Sequence, residues 1–238
     1  MFNQTAYALG ANRSCIRELF EYGRSRAAIV GPENVYDYSL GNPSIPSPKG
    51  VNDAIRDILL DTPSLLVHGY TSATGDLEAR KAISKDLNTR YGADTKPEEF
   101  FLGCGAAPEL CSVFRALSVP GGELIAVAPY FPEYRPFAQE AGLQFKVVPP
   151  DVPDFQISLP RLEALITPHT QAVLINTPNN PSGVVYTRET LQELAALLTR
   201  KAEHYGHPIY LISDEPYREL AYGVEVPFVP GIYRDTLI

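Results

Sequence analysis

The sequence predicts an α/β fold, three layers in the order α/β/α around a mostly parallel sheet. Three features point to it. From residue 99 onward, strand-type and helix-type segments alternate. Several of the strand-type segments are continuously apolar, the pattern of strands covered on both faces. Proline and glycine, 22 and 17 residues, are spread along the chain and punctuate it as turns between short elements do.

Taken in order, Ile16, Phe20, Gly23, Ala27 and Val30 stand at helical spacing over residues 14–30, and Gly31-Pro32 stops them. Residues 36–48, YDYSLGNPSIPSP, read as a short apolar stretch and a proline-rich loop. Val51, Ile55, Ile58 and Leu59 mark a second helix. Residues 76–91 form a third, with Ala79, Ile83, Leu87 and Tyr91 on one face and Gly92 as its stop. EFFLGCG (99–105) reads as a strand ending in glycines, and residues 108–117 as a helix. Strands are predicted at 123–129, 144–150, 171–176 and 209–215, with a short helix at 158–166. The clearest helix is 187–205, where Leu191, Leu194, Ala195, Leu198 and Ala202 follow helical spacing up to Gly206. The last residues, VPFVPGIYRDTLI, stop on what looks like the start of another strand.

Composition narrows the function classes. The 238 residues are 45% hydrophobic and 20% charged, enough for a sizeable core. A net charge of −8 without a basic run argues against nucleic acid or an anionic membrane, because phosphate backbones need lysine and arginine. Cys15, Cys104 and Cys111 have no framework spacing and read as reduced thiols. The N-terminal residues lack an apolar signal-peptide core, and no stretch approaches a membrane span. A cytoplasmic protein is expected.

In parallel α/β sheets, ligands sit beyond the carboxyl ends of the strands. Four segments follow strand ends here: GCGAAPE, APYFPEY, NTPNNPSG and SDEPYRE. The first puts glycines before a helix start, whose unpaired N–H groups suit a phosphate; such turns often serve only to turn the chain. Asp214 in SDEPYREL suits a cationic ring nitrogen or, equally, a helix cap. No His or Cys stands near it at metal spacing, so a metal is discounted. Tyr130, Phe131 and Tyr134 can cover a flat ligand or simply pack. Asn180, before Pro181, is an amide in a tight turn where a cis bond is a candidate. His68 reads as packing or capping, and Arg218 and Glu219 as a solvated face. Together the four segments list the parts that pyridoxal phosphate needs: a phosphate cup, a ring cover, an amide donor and an acid.

At these residues the chain resembles a known family, the fold-type I aminotransferases of the class I/II group that includes aspartate aminotransferase. NTPNNPSG followed by ISDEPYREL carries the resemblance, with HGYTSATGDLEAR (68–80) and FLGCGAAPEL (101–110) in the same order. The resemblance implies pyridoxal 5′-phosphate as cofactor, an amino acid and a 2-oxo acid as substrates, and a homodimer. It implies that Asp214 pairs with the ring nitrogen, and that Asn180 and Tyr217 bond the ring's phenolic oxygen. Phe131 would stack on the ring, with Tyr130 ranked behind it. Gly105, Ala106 and Ala107 would cup the phosphate, Tyr70 would reach the phosphate of the neighbouring subunit, and Gly41 would lie against the substrate carboxylate. It further implies an arm and substrate loop over residues 1–48 and a cofactor-binding large domain over 49–238.

The family's Schiff-base lysine follows the aspartate by a few tens of residues. None of the six lysines here comes after Asp214 or sits in a matching context. The chain therefore reads as the N-terminal part of an aminotransferase, with no catalytic residue of its own and no activity alone. A C–S lyase of the same fold would share these motifs. A non-catalytic binding module that lost its lysine is the rival of another class, and the intact SDEPY and NNPSG segments argue against it.

Overall fold

The computed structural model describes the chain apart from Met1, Asn3, residues 12–14 and residues 42–44, and apart from the side chains of Thr5, Ala6 and Leu9. Ser14, where the first helix was expected to start, and residues 42–44 of the expected substrate loop lie outside the described residues. The chain divides into two compact units, Met1–Tyr70 and Thr71–Ile238.

The first unit is helical. It holds α1 (Gln4–Ala11), α2 (Cys15–Val30), α3 (Lys49–Asp61) and the short α4 (Ser64–Val67). The apolar spacing identifies α2 and α3, while α1 and α4 are too short to show a period. No described residue of α2, α3 or α4 is buried.

The second unit begins with α5 (Leu77–Tyr91) and α6 (Ala106–Leu117), followed by β1 (Glu123–Val127), α7 (Tyr134–Ala141) and β2 (Gln144–Val148). It continues with α8 (Leu159–Leu165), β3 (Thr170–Asn176), α9 (Arg188–Tyr205), β4 (Tyr210–Asp214) and β5 (Thr236–Leu237). The helix ends follow local chemistry. Asp76 accepts a bond from the Ala79 N–H and starts α5, and Thr187 does the same for Thr190 at α9. Gly92 and Gly206, in the left-handed conformation, end those two helices.

The five strands among the described residues are all parallel, in the order β2-β1-β3-β4-β5. Strand side chains alternate between faces, and here both faces are covered. Ile125, Val127, Val173, Ile175 and Leu211 pack with Leu191, Leu194 and Leu198 of α9. Leu124, Ala126, Ala172, Leu174 and Ile212 pack with Leu110 and Phe114 of α6 and with Tyr134 and Ala138 of α7. Three layers result, as the unbroken apolar strands predict.

The strand expected at 99–105 does not form. Pro97–Glu99 closes a 3-10 turn, and the following residues find no ladder partner among the described residues. Leu102 instead donates its N–H to the Thr74 carbonyl at 3.1 Å. An apolar run specifies a strand only when a neighbouring edge is there to pair with it. Conversely α7, hidden from periodicity by Pro132 and Pro136, forms directly after β1.

Leu198 of α9 is fully buried against the sheet. Leu198→Ala is expected to lower unfolding free energy by about 2–5 kcal/mol. A denaturant midpoint equal to that of the parent chain would contradict this packing.

Candidate functional site

The carboxyl ends of β3 and β4 lie in register, Asn176 beside Asp214. The Asn176 amide locks that pair: Nδ2 donates to the Asp214 carbonyl at 2.8 Å, and Oδ1 accepts the Asn180 N–H at 2.6 Å. Asn179 Nδ2 donates to the Pro129 carbonyl at 3.0 Å, tying this turn to the segment that follows β1. Asn179 Oδ1 accepts from the Ser182 N–H at 3.0 Å and from its hydroxyl at 2.7 Å. Asn180 Nδ2 donates to the Tyr217 hydroxyl at 3.3 Å. Each asparagine of NTPNNPSG thus has a separate partner. The peptide bond before Pro181 is cis, as are those before Pro129 and Pro178.

These segments enclose a cleft of about 200 Å³. Ala106 and Ala107, the first residues of α6, stand at one end. Gly105 caps the helix with φ 109°, a conformation that favours glycine, and offers no side chain to the free N–H groups. Those N–H groups and the helix dipole make this end attractive to an anion. Phe131 forms a wall and meets Tyr134 edge-on at 5.6 Å. Tyr130 packs instead on Phe145, and its hydroxyl accepts from Arg135. Asp214, Pro216, Tyr217 and Asn180 complete the lining.

Asp214 does not act as a helix cap. Its Oδ2 accepts the Tyr134 hydroxyl at 2.5 Å. Burial pushes its pKa above the usual carboxylate value; the Tyr134 bond pulls it down, and the charge of Glu215 pushes it up again. Tyr134 itself is raised far out of reach of ordinary pH, by burial and then by Asp214. The pair therefore works as a neutral donor on an acid whose charge costs free energy. Such a carboxylate favours a cationic partner.

The profile of the family "Aminotransferase class I and II" matches residues 33–235. The chain belongs to the class I and II aminotransferases. It superposes on an amino transferase structure from Eubacterium rectale with TM-score 0.96 and 50% identity, over 99% of this chain and 60% of that one. An aspartate aminotransferase of Thermotoga maritima is 36% identical over 84% of this chain and 50% of its own length. An aspartate/prephenate aminotransferase of Thermus thermophilus is 34% identical over 80% and 47%. The chain spans about half the length of the curated relatives it matches.

In this aminotransferase-family chain, Ala106, Ala107, Phe131, Asn180, Asp214 and Tyr217 come together in one cleft, and Gly105 adjoins it. Gly41 and Tyr70 lie in the first unit, both exposed, and are not lining residues. His68 ends α4, its N–H bonded to the Ser64 carbonyl. Sequence reasoning gave Tyr134 no role beyond ring cover or packing; its place three residues after Phe131, in the segment that follows a strand end, was the available signal. Asn176, part of the quoted turn, proves to be the lock between the strands. The expectation of a solvated Arg218 is corrected: its side chain is only 13% exposed and pairs with Glu215. Glu219 is exposed and pairs with Arg90.

Asp214's folded pKa lies above its ordinary 3.8. Its contribution to stability is therefore fully present below that value and is lost as pH rises through the folded one. Denaturant midpoints of the parent chain and Asp214→Asn are expected to converge in acid. Toward neutral pH they should separate in favour of the variant. A difference that stays constant with pH would contradict a half-buried, disfavoured charge.

Proposed function

We propose that the whole protein is a pyridoxal 5′-phosphate-dependent aminotransferase, moving an amino group between an amino acid and a 2-oxo acid. One observation carries the reading: a half-buried carboxylate, Asp214, shares a 200 Å³ cleft with a helix N-terminus, an aromatic wall and an amide–phenol pair. The donor set matches the cofactor's groups. The N–H groups of Ala106 and Ala107 would hold the phosphate, and Phe131 would pack on the ring. Asp214 would hold a proton at the ring nitrogen, its disfavoured charge relieved by the cation. Asn180 and Tyr217 would bond the ring oxygen. When bound, pyridoxal 5′-phosphate supplies an electron-accepting ring for an amino acid that loses its Cα proton. Asp214 would keep that ring protonated, Tyr134 aims Asp214 and favours its charged form, and the asparagine turn would fix the ring oxygen's partner.

The relatives named for aspartate or prephenate support an amino acid and a 2-oxo acid as the substrate pair. In the reading, Gly41 meets the substrate carboxylate and Tyr70 serves the neighbouring subunit's phosphate. A homodimer is supported by apolar exposure in the first unit, where Ile29, Leu65 and Leu66 are 76%, 89% and 75% accessible. Three free thiols, Cys15, Cys104 and Cys111, fit a reducing compartment such as the cytoplasm.

None of the six lysines lines the cleft, so it offers noncovalent binding by itself. Pyridoxine 5′-phosphate, which lacks the aldehyde and cannot react with surface lysines, is the suitable probe. Its fluorescence is expected to report saturable binding, weakened about tenfold in Asp214→Asn, the loss of one ion pair worth about 1.4 kcal/mol. Absent saturation, or equal affinity of the two chains, would remove the reading.

A further inference from the structure

Beside the cleft, outside the residues assigned a role there, lies a buried ion pair on the same turn. Glu215 and Arg218 flank Pro216 and Tyr217, and their side chains are 9% and 13% exposed. Arg218 Nε donates to Glu215 Oε2 at 2.6 Å. Glu215 Oε1 accepts from the Ser213 hydroxyl at 2.7 Å, inside β4. The rest of the guanidinium reaches across the fold. Nη1 donates to the Val226 carbonyl and Nη2 to the Pro227 carbonyl, both at 2.9 Å. Nη1 also meets the Tyr91 hydroxyl at 3.4 Å, at the end of α5, and Tyr91 stacks on Phe228 at 4.6 Å.

An ion pair this buried returns little net stability, because both groups lose their water. A link between residues three apart also does not by itself hold a turn against the rest of the molecule. The two carbonyl bonds do: they fix the segment to backbone eight and nine residues further along. Tyr217 sits between the two halves of the clamp, and its hydroxyl is the partner of Asn180 in the cleft.

We infer that Arg218 is a positioning residue: the Glu215–Arg218 clamp, anchored on the 226–227 backbone, sets where Tyr217 presents its hydroxyl. The inference rests on the reading of the cleft as a phosphopyridine site. Only a planar fork makes these bonds at once, so lysine does not replace arginine here despite its equal charge. A displaced hydroxyl loses its function, since groups in a binding site must be held to well under an ångström.

Because R218M leaves the Glu215 charge without its cation and risks unfolding, the test uses R218K, with circular dichroism confirming the native fold. The first readout needs no ligand. With 3-fluorotyrosine placed at residue 217, the ¹⁹F line of the free chain is expected to shift or broaden in R218K; an unchanged line overturns the inference. The second is a cycle of pyridoxine 5′-phosphate affinities. R218K is expected to weaken binding about fivefold in the parent chain and to add nothing in a Y217F background, the non-additivity of two residues acting as one. Equal losses in both backgrounds, or no loss, overturn it. Failure of the parent chain to bind the probe would instead remove the cofactor reading, while the ¹⁹F line still decides the role of Arg218.

Discussion

The site depends on two parallel strands ending in register. β3 and β4 pair from Ala172–Tyr210 to Asn176–Asp214, so the sheet delivers an amide and a carboxylate side by side at its carboxyl edge. Asn176 then spends both ends of its side chain holding the edge together, one on the Asp214 carbonyl and one on the Asn180 N–H. The rest follows from that lock. The turn after β3 cannot rotate away, Asn180 is carried to Tyr217, and Asp214 is left facing the cleft beside the start of α6. The buried faces of the sheet supply the rigidity, with Leu174 and Ile175 on β3 packed to opposite sides. A chemical site built on the ends of such strands inherits the precision of the core.

The electrostatics at Asp214 are opposed, with the unfavourable contributions the larger. Burial and Glu215 oppose ionisation of Asp214, and the Tyr134 hydroxyl favours it. Tyrosine suits that task because it stays a neutral donor across the working pH range, where an imidazole would titrate. Glu215 is kept from dominating its neighbour by its pairing with Arg218. The same turn thus manages both the position of Tyr217 and the charge next to Asp214. A carboxylate left in this state gains most from a cation placed against it, and a protonated ring nitrogen is such a cation.

Much of this was legible in the residues. Leu191, Leu194 and Leu198 announced α9, and the unbroken apolar strands announced a sheet covered on both faces. The concentration of asparagine, proline and glycine at 176–183 marked a turn with more hydrogen bonds than a turn needs. What the sequence hid was non-local. EFFLGCG has the composition of a strand, yet strand formation depends on an edge elsewhere in the chain. Pro132 and Pro136 masked α7, and with it the reason Tyr134 points at a residue eighty positions away. Arg218 read as solvated because its burial is created by a later segment, Val226–Phe228, folding back over it. Gly41 and Tyr70 rest on resemblance alone, because nothing local in their segments specifies a role.

The most direct test of the account is the titration of the Asp214 side-chain carboxyl by ¹³C NMR, in the free chain and with pyridoxine 5′-phosphate bound. The account predicts a pKa above the ordinary carboxylate value in the free chain and a clear fall on binding, as the ring nitrogen takes up its proton and pairs with the carboxylate. An Asp214 pKa that is unchanged by a bound ligand would contradict it, because the carboxylate would then not face the ring.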